Sequence, residues 1–490
     1  MRRQIGAVMV LAALPAAAAV RVAPVFTDGA VLQANRPVPV WGTADPGEKV
    51  TVSYGGARAS AKAGADGRWR VDLPVMGYVK TGGRLVVSGR NTIALDDVLV
   101  GEVWLGLGQS NMEFPLEHCE EGKRIAKGGV LPRTVRFFHL PKDGDEKPRD
   151  MFGVPEGTRW LSYTKENEQK GRRSSMLLAF FAGKLAAEID APVGVIGAGV
   201  GGANLETWMC DAAIDEAGTR EEAKRLLKTC EGWHANDVKK WENRPENEKN
   251  RPYPKINFES RPTQSWNAMI PPLAPYAVRG IIWYQGEMNS GWQKYERQFP
   301  FFVKHLRKAF EAENTPLYIV QLPDFKQDGW VRIRDVQRKM SELVPDCELA
   351  VQIDGDEIDL HPRDKTRLAS RLANLALAQF HGRKIAARSP APDRAAAKGG
   401  KVRIAFRNAG AGLKTSDGAA PRTFELVESG DAGVPCEARL AGRNIVELAV
   451  PSGMKSPERV RYAWSADPGV NLVNSAGLPA TPFEITLGRK

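Results

Sequence analysis

Between residues 98 and 353, five short and mostly apolar runs recur: Val98–Leu107, Val193–Ile196, Ile281–Tyr284, Leu317–Gln321 and Leu349–Ile353. They lack the strict apolar–polar alternation of a half-exposed strand, so each suits burial on both faces. Stretches with helical spacing fall between them, at Ser174–Ile189 and Tyr295–Ala312. Strands that alternate with helices are joined by crossovers, which gives a parallel sheet covered on both faces. The fold class is therefore α/β, with the core assigned to residues 98–388.

The flanks read differently. Residues 20–97 hold short alternating runs such as Lys49–Tyr54 and Trp69–Leu73, separated by turn signals such as Asp45-Pro46-Gly47 and Ala65-Asp66-Gly67. Strands at this spacing predict an antiparallel β-sandwich. Residues 389–490 return to short β runs after the Ala/Pro/Lys-rich approach from Pro390 to Lys401. Residues 211–262 are charged and helical or irregular, and read as an insertion over the core. At roughly 100–200 residues per domain, a chain of 490 residues accommodates these parts.

The longest apolar run is at the start. Arg2 and Arg3 precede a nearly unbroken apolar stretch from Ile5 to Ala19, ending in the small residues Ala16–Ala19. It is shorter than the about 20 apolar residues of a spanning helix and has the layout of a secretory signal peptide over residues 1–19. A secreted or periplasmic protein without a membrane span in its mature chain is expected. The five cysteines, Cys119, Cys210, Cys230, Cys347 and Cys436, are sparse and contain no CxxC, which argues against a disulfide scaffold or a cysteine zinc site. With 69 Lys+Arg against 58 Asp+Glu the chain is basic, but its charges are interspersed. No basic arm or RNA-binding signature is present, so nucleic acid is not an expected partner.

The chemistry-bearing residues follow the apolar runs. Gly106-Leu107-Gly108-Gln109-Ser110-Asn111-Met112-Glu113 places a serine just past a buried parallel strand, at the edge where open α/β sheets bind ligands. The serine suits a nucleophile or a helix N-cap, and local pattern alone leaves both open. It does not lie in the G-x-S-x-G elbow. A nucleophilic serine needs a base, and His361 stands out among six histidines. It follows the Leu349–Ile353 run, precedes a helical stretch, and lies near Asp354, Asp356, Glu357 and Asp359. Those acids also permit a paired-carboxylate glycosidase, but four within six residues more often form one solvated loop. Gly197–Gly202 offers backbone N–H groups for an anion-stabilising pocket. It matches G-x-G-x-x-G literally, yet only a short helix ending near Trp208 follows, so a dinucleotide site is rejected. Trp283-Tyr284-Gln285-Gly286-Glu287-Met288-Asn289 brings further polar side chains past another strand.

Together, Gly108–Glu113, Trp283–Glu287 with Asn289, and Asp359-Leu360-His361-Pro362 resemble the sialate O-acetylesterase family. Val31-Leu32-Gln33 and Val40-Trp41-Gly42 resemble its N-terminal part, and Arg461–Trp464 and Gly477–Phe483 its C-terminal end. The resemblance spans nearly the whole mature chain and implies a flavodoxin-like three-layer SGNH hydrolase core. It implies Ser110 as nucleophile, His361 as base and Asp359 as the acid beside it. It also implies an oxyanion hole from Ser110, Gly201 and Gln285, with Asn289 as second choice for the side-chain donor. Gln109, Asn111, Glu287, Asn289 and Trp208 would line the substrate. Val200 and Ala203 stand where the family carries Trp and Thr. The implied activity is removal of O-acetyl groups from sialic acids through an acyl-enzyme, without metal or organic cofactor, on an O-acetylated sugar or glycan. An esterase for xylan or another acetylated polysaccharide, and a non-catalytic carbohydrate-binding protein, are the alternatives.

Overall fold

The computed structural model describes residues 19–153, 155–245, 248, 252–289, 291–327, 329–355 and 357–488. The signal-peptide assignment, apart from Ala19, and Asp356 lie outside the described residues.

Six strands form the parallel sheet: β1 (Thr92–Gly108), β2 (Val135–His139), β3 (Val193–Gly199), β4 (Gly280–Tyr284), β5 (Leu317–Val320) and β6 (Cys347–Ala350). Their order is β2-β3-β1-β4-β5-β6, and every neighbouring pair is parallel. Leu161–Ser162 adds a short antiparallel edge beside β2. Successive strand residues face opposite sides, and both sides are buried. Trp104, Ile282, Tyr284 and Tyr318 pack on α1 (Met176–Ile189) and α4 (Thr366–Phe380). Val103, Leu105, Ile281, Trp283 and Ile319 pack on α2 (Trp292–Ala309) and α3 (Trp330–Leu343). The rings of Trp104 and Phe181 meet edge to face at 5.0 Å. Each such fully buried large side chain contributes about 1.5–3 kcal/mol by leaving water, so the sheet is held from both faces.

The N-terminal β region does not stop where the core begins. β1 is 17 residues long: its first half pairs antiparallel with Val79–Ser88 and its second half enters the parallel sheet. The expected border at 97/98 thus falls inside one continuous strand. Val31–Gln33 also pairs with β1, in parallel. A separate three-stranded sheet of Arg21–Val22, Val38–Thr43 and Arg68–Leu73 completes this region. Arg68–Leu73 alternates exposed and buried residues throughout, the pattern of a half-buried strand.

The insertion carries the helices Asp211–Glu216 and Arg220–Glu242. The C-terminal residues form two four-stranded antiparallel sheets and a two-stranded one. Arg334 of α3 ties them to the core: it is fully buried and donates to Asp324 Oδ1 at 2.8 Å and to the carbonyls of Ser465 and Ala466, each at 3.1 Å. A buried charge is tolerated only when paired and hydrogen-bonded in this way. The five cysteines are all unpaired. Among the described residues no helix is long and apolar enough to cross a membrane.

Candidate active site

β1 ends at Gly108, in register with Gly199 of β3 on one side and Tyr284 of β4 on the other. All three strands therefore release their loops at one edge of the sheet. Gly108 has φ +146°, and a Cβ built on it lies 2.0 Å from the Tyr284 carbonyl oxygen. Only glycine allows this conformation and this approach. The chain turns at once into a one-turn helix, Ser110–Glu113, of which Ser110 is the first residue and Gln109 the cap. The cap reading of Ser110 is thereby set aside.

The Ser110 hydroxyl meets the His361 ring, with Oγ and Nε2 2.7 Å apart across 251 positions of sequence. Both residues are partly exposed. Phe114 stacks on His361 at 5.6 Å with a 5° interplanar angle, and it also stacks on His118 at 4.6 Å. Asp359 accepts the backbone N–H of His361 at 2.9 Å, which shapes the loop rather than the ring. Among the described residues no carboxylate bonds the other ring nitrogen, so the expected Asp359–imidazole contact is replaced by a backbone one.

Beneath this pair lies a buried polar network. Asn111 Nδ2 donates to Glu287 Oε1 at 2.8 Å and to the Leu360 carbonyl at 2.7 Å, while Asn111 Oδ1 accepts from Lys365 Nζ at 2.8 Å. Asn111 thus joins the serine turn, the loop after β4 and the histidine loop. Burial pushes the Lys365 ammonium down to about 7, against the pull of Glu287, and burial also raises the Glu287 carboxyl. His361 is lowered from 6.5, first by burial and then by the Lys365 charge, with Asp359 opposing.

These shifts set an expected pH profile. Neutral imidazole is the form that accepts a serine proton, so the acid limb of kcat/KM has its midpoint below 6.5. Lys365→Met removes a cation that disfavours imidazolium and moves that midpoint upward. The rate across pH 4–9 for the two proteins (about that range, spanning the ordinary His pKa) checks this, and coincident acid limbs would contradict it.

The loop after β3 supplies the facing wall. A Cβ on Gly201 would lie 3.8 Å from Ser110 Cβ and 2.9 Å from Glu113 Oε1, so this backbone runs against the serine. Among the described residues neither the Ser110 nor the Gly201 backbone N–H donates to a protein acceptor. Two such donors beside a serine Oγ can hold an oxyanion.

Other expected residues occupy different positions. The Gln285 side chain is fully buried, and its amide nitrogen donates to the Ala203 carbonyl at 3.1 Å and Asn289 Oδ1 at 2.6 Å. Asn289 in turn accepts the Leu205 N–H at 3.1 Å and donates to Glu206 Oε2 at 3.3 Å. Gln285 thus donates twice inside the protein and Asn289 once. Gln109, Asn111 and Glu287 are likewise buried, and Gln109 reaches Glu287 Oε2 at 2.9 Å with its amide nitrogen turned that way. They form the floor beneath Ser110. Trp208 is fully buried edge-to-face on Trp283 at 6.3 Å, so it supports the loop. The one-turn helix Leu205–Trp208 after the glycine loop fits the rejection of a dinucleotide site. Lys365, Phe114 and His118 escaped the reading of the sequence. Lys365 lies four residues past His361 in a charged stretch, where a lysine reads as solvated.

Known carbohydrate esterases resemble the chain along most of its length. The family model described as "Carbohydrate esterase, sialic acid-specific acetylesterase" matches residues 236–378. The sialate O-acetylesterases of Pongo abelii and Homo sapiens are each 26% identical to the chain over 496 residues, covering 91% of it and 88% of the relative. The crystal structure of a carbohydrate acetylesterase from Xanthomonas citri superposes with a TM-score of 0.80 at 30% identity, covering 95% of this chain and 99% of that one. A serine–histidine pair at the sheet edge and these matches along nearly the full length lead to one assignment: the chain belongs to the sialate O-acetylesterase family of carbohydrate esterases.

Proposed function

We propose that the protein removes O-acetyl groups from sialic acids through an acetyl-enzyme on Ser110. The observation that carries this reading is the 2.7 Å contact between Ser110 Oγ and His361 Nε2 at the carboxyl edge of the sheet. In the first half, Ser110 Oγ bonds to the acetyl carbonyl carbon as His361 Nε2 takes its proton. The backbone N–H groups of Ser110 and Gly201 hold the oxyanion. His361 then gives the proton to the leaving sugar oxygen as the old ester bond breaks. In the second half, water attacks the acetyl-serine by the same route, and acetate leaves. Asn111, bonded to the Leu360 carbonyl, keeps His361 in reach of Ser110 throughout.

The SGNH assignment of the core belongs to the same proposal. With β2 set aside, the parallel strands run β3-β1-β4-β5-β6, that is 2-1-3-4-5 in chain order. This is the flavodoxin-like order and supports the reading. The Arg2-Arg3 head and the apolar run to Ala19 support export to the periplasm or beyond.

Acetate release separates the substrates. The protein is expected to release acetate from O-acetylated N-acetylneuraminic acid faster than from acetylated xylan. Faster release from xylan overturns the sialate reading and keeps the esterase. Saturable binding of either glycan without acetate release would instead identify a carbohydrate-binding protein.

A further inference from the structure

Among the described residues seven arginines are buried, and six of them are satisfied: Arg136, Arg307, Arg334, Arg338, Arg371 and Arg461 each hydrogen-bond carbonyls or carboxylates. Arg261 is the exception. It is only 6% exposed, its Nε has no partner, and its guanidinium makes no hydrogen bond or ion pair among the described residues. A buried guanidinium nitrogen without a partner is costly, so its place needs a reason beyond packing.

That place is a cleft of about 730 Å³, which Arg261 lines with Asp145, Lys147, Lys255, Phe258 and Glu259. Asp145 is already engaged by Arg149 Nε, and Glu259, two residues away in sequence, forms no ion pair with Arg261. Lys147 and Lys255 are exposed, whereas Arg261 sits in the wall. The cleft begins next to the reaction centre. The segment that carries Arg261 is pinned to the loop after β3: Asn204 Nδ2 donates to the Ser260 carbonyl at 3.0 Å, and Thr207 Oγ1 to the Phe258 carbonyl at 3.2 Å. A Cβ on Gly202 would lie 3.3 Å from Glu259 Oε2, one residue from the Gly201 that faces Ser110.

A substrate whose acetyl group reaches Ser110 therefore extends towards a guanidinium that has no protein partner among the described residues. We propose that Arg261 receives a carboxylate of the acetylated sugar through its paired N–H donors and so selects acidic over neutral sugars. The guanidinium fork matches a carboxylate bidentately, and a site with unpaired buried donors discriminates strongly against a ligand that lacks the acceptor. This assignment rests on the sialate reading above and names the residue that would enforce it.

The test compares O-acetylated N-acetylneuraminic acid with its methyl ester, which removes the negative charge at one carboxylate and leaves the acetyl group alone. The wild-type protein is expected to prefer the acid by about 10–100-fold in kcat/KM, the value of a charge-assisted hydrogen-bonded pair. Arg261→Gln is expected to bring that ratio close to one, mainly through KM, and Arg261→Lys to restore part of it. The ratio is internal to each preparation, so partial misfolding cancels, and Arg261→Lys serves if Arg261→Gln yields no folded protein. No preference in the wild type, or the same preference in the variants, overturns the role of Arg261 alone. Failure to cleave either sialate, with an aryl acetate still hydrolysed, overturns the substrate reading and this assignment with it.

Discussion

Ser110→Ala lowers kcat/KM for acetate release by about 10⁴-fold or more, the scale seen when a nucleophile is removed from a serine–histidine site. The expectation follows from geometry. Ser110 Oγ is the hydroxyl hydrogen-bonded to His361 Nε2, and the buried network around Asn111 fixes the backbone on both sides of that bond. His361→Ala should cost about as much alone, and the double variant little more than either, because the two act as a unit. Residual hydrolysis is expected from the backbone donors of Ser110 and Gly201. Steady-state rates for the three proteins on one acetyl ester decide this. Additive losses would show that the two residues act separately.

Gly108→Ala is expected to destabilise the folded chain by about 3 kcal/mol or more, in the range reserved for overpacking combined with backbone strain. The new Cβ would sit 2.0 Å from the Tyr284 carbonyl oxygen, far inside contact distance, at a φ of +146° that side chains rarely adopt. Relief requires β1 and β4 to part at the point where Gln109 N–H donates to that same carbonyl at 3.0 Å. The serine turn moves with it, so activity falls along with stability. Urea denaturation gives the midpoint shift directly. An unfolding free energy within about 0.5 kcal/mol of wild type, the usual spread for surface substitutions, would mean that the strands part without cost.

Much of this architecture is legible in the residues because burial on both faces leaves a compositional trace. Val98–Leu107, Ile281–Tyr284 and Leu317–Gln321 could be placed as core strands, and Ser110 and His361 just past strand ends, by their apolar runs and following turns. Strand order is another matter. It depends on which crossover each helix takes, and β2 joins the sheet from a stretch, Val135–His139, that carries arginine and histidine. The change of composition at 97/98, from alternating to continuous apolar residues, marks a change of burial within β1 and not a break in it.

The pairing of Ser110 with His361 is legible in the sequence, and the residues that support it are not. A sequence shows that Gln285, Asn289 and Trp208 lie near a strand end, but not which way they turn. Here the amides bond each other and the glycine loop, and the indole packs on Trp283. Lys365 and Arg261 look like solvated charges until tertiary packing buries them, one on Asn111 and the other in the wall of a cleft.

The central claim is that the acetyl group passes through Ser110, and trapping it there tests this most directly. An aryl acetate makes acylation fast relative to deacylation, so a burst of phenol precedes the steady state. Acid quenching within the burst, followed by peptide mass spectrometry, should find one acetyl group on Ser110 in the wild-type protein and none in Ser110→Ala. Turnover with no burst and no acetyl-serine, undiminished in Ser110→Ala, would contradict the account.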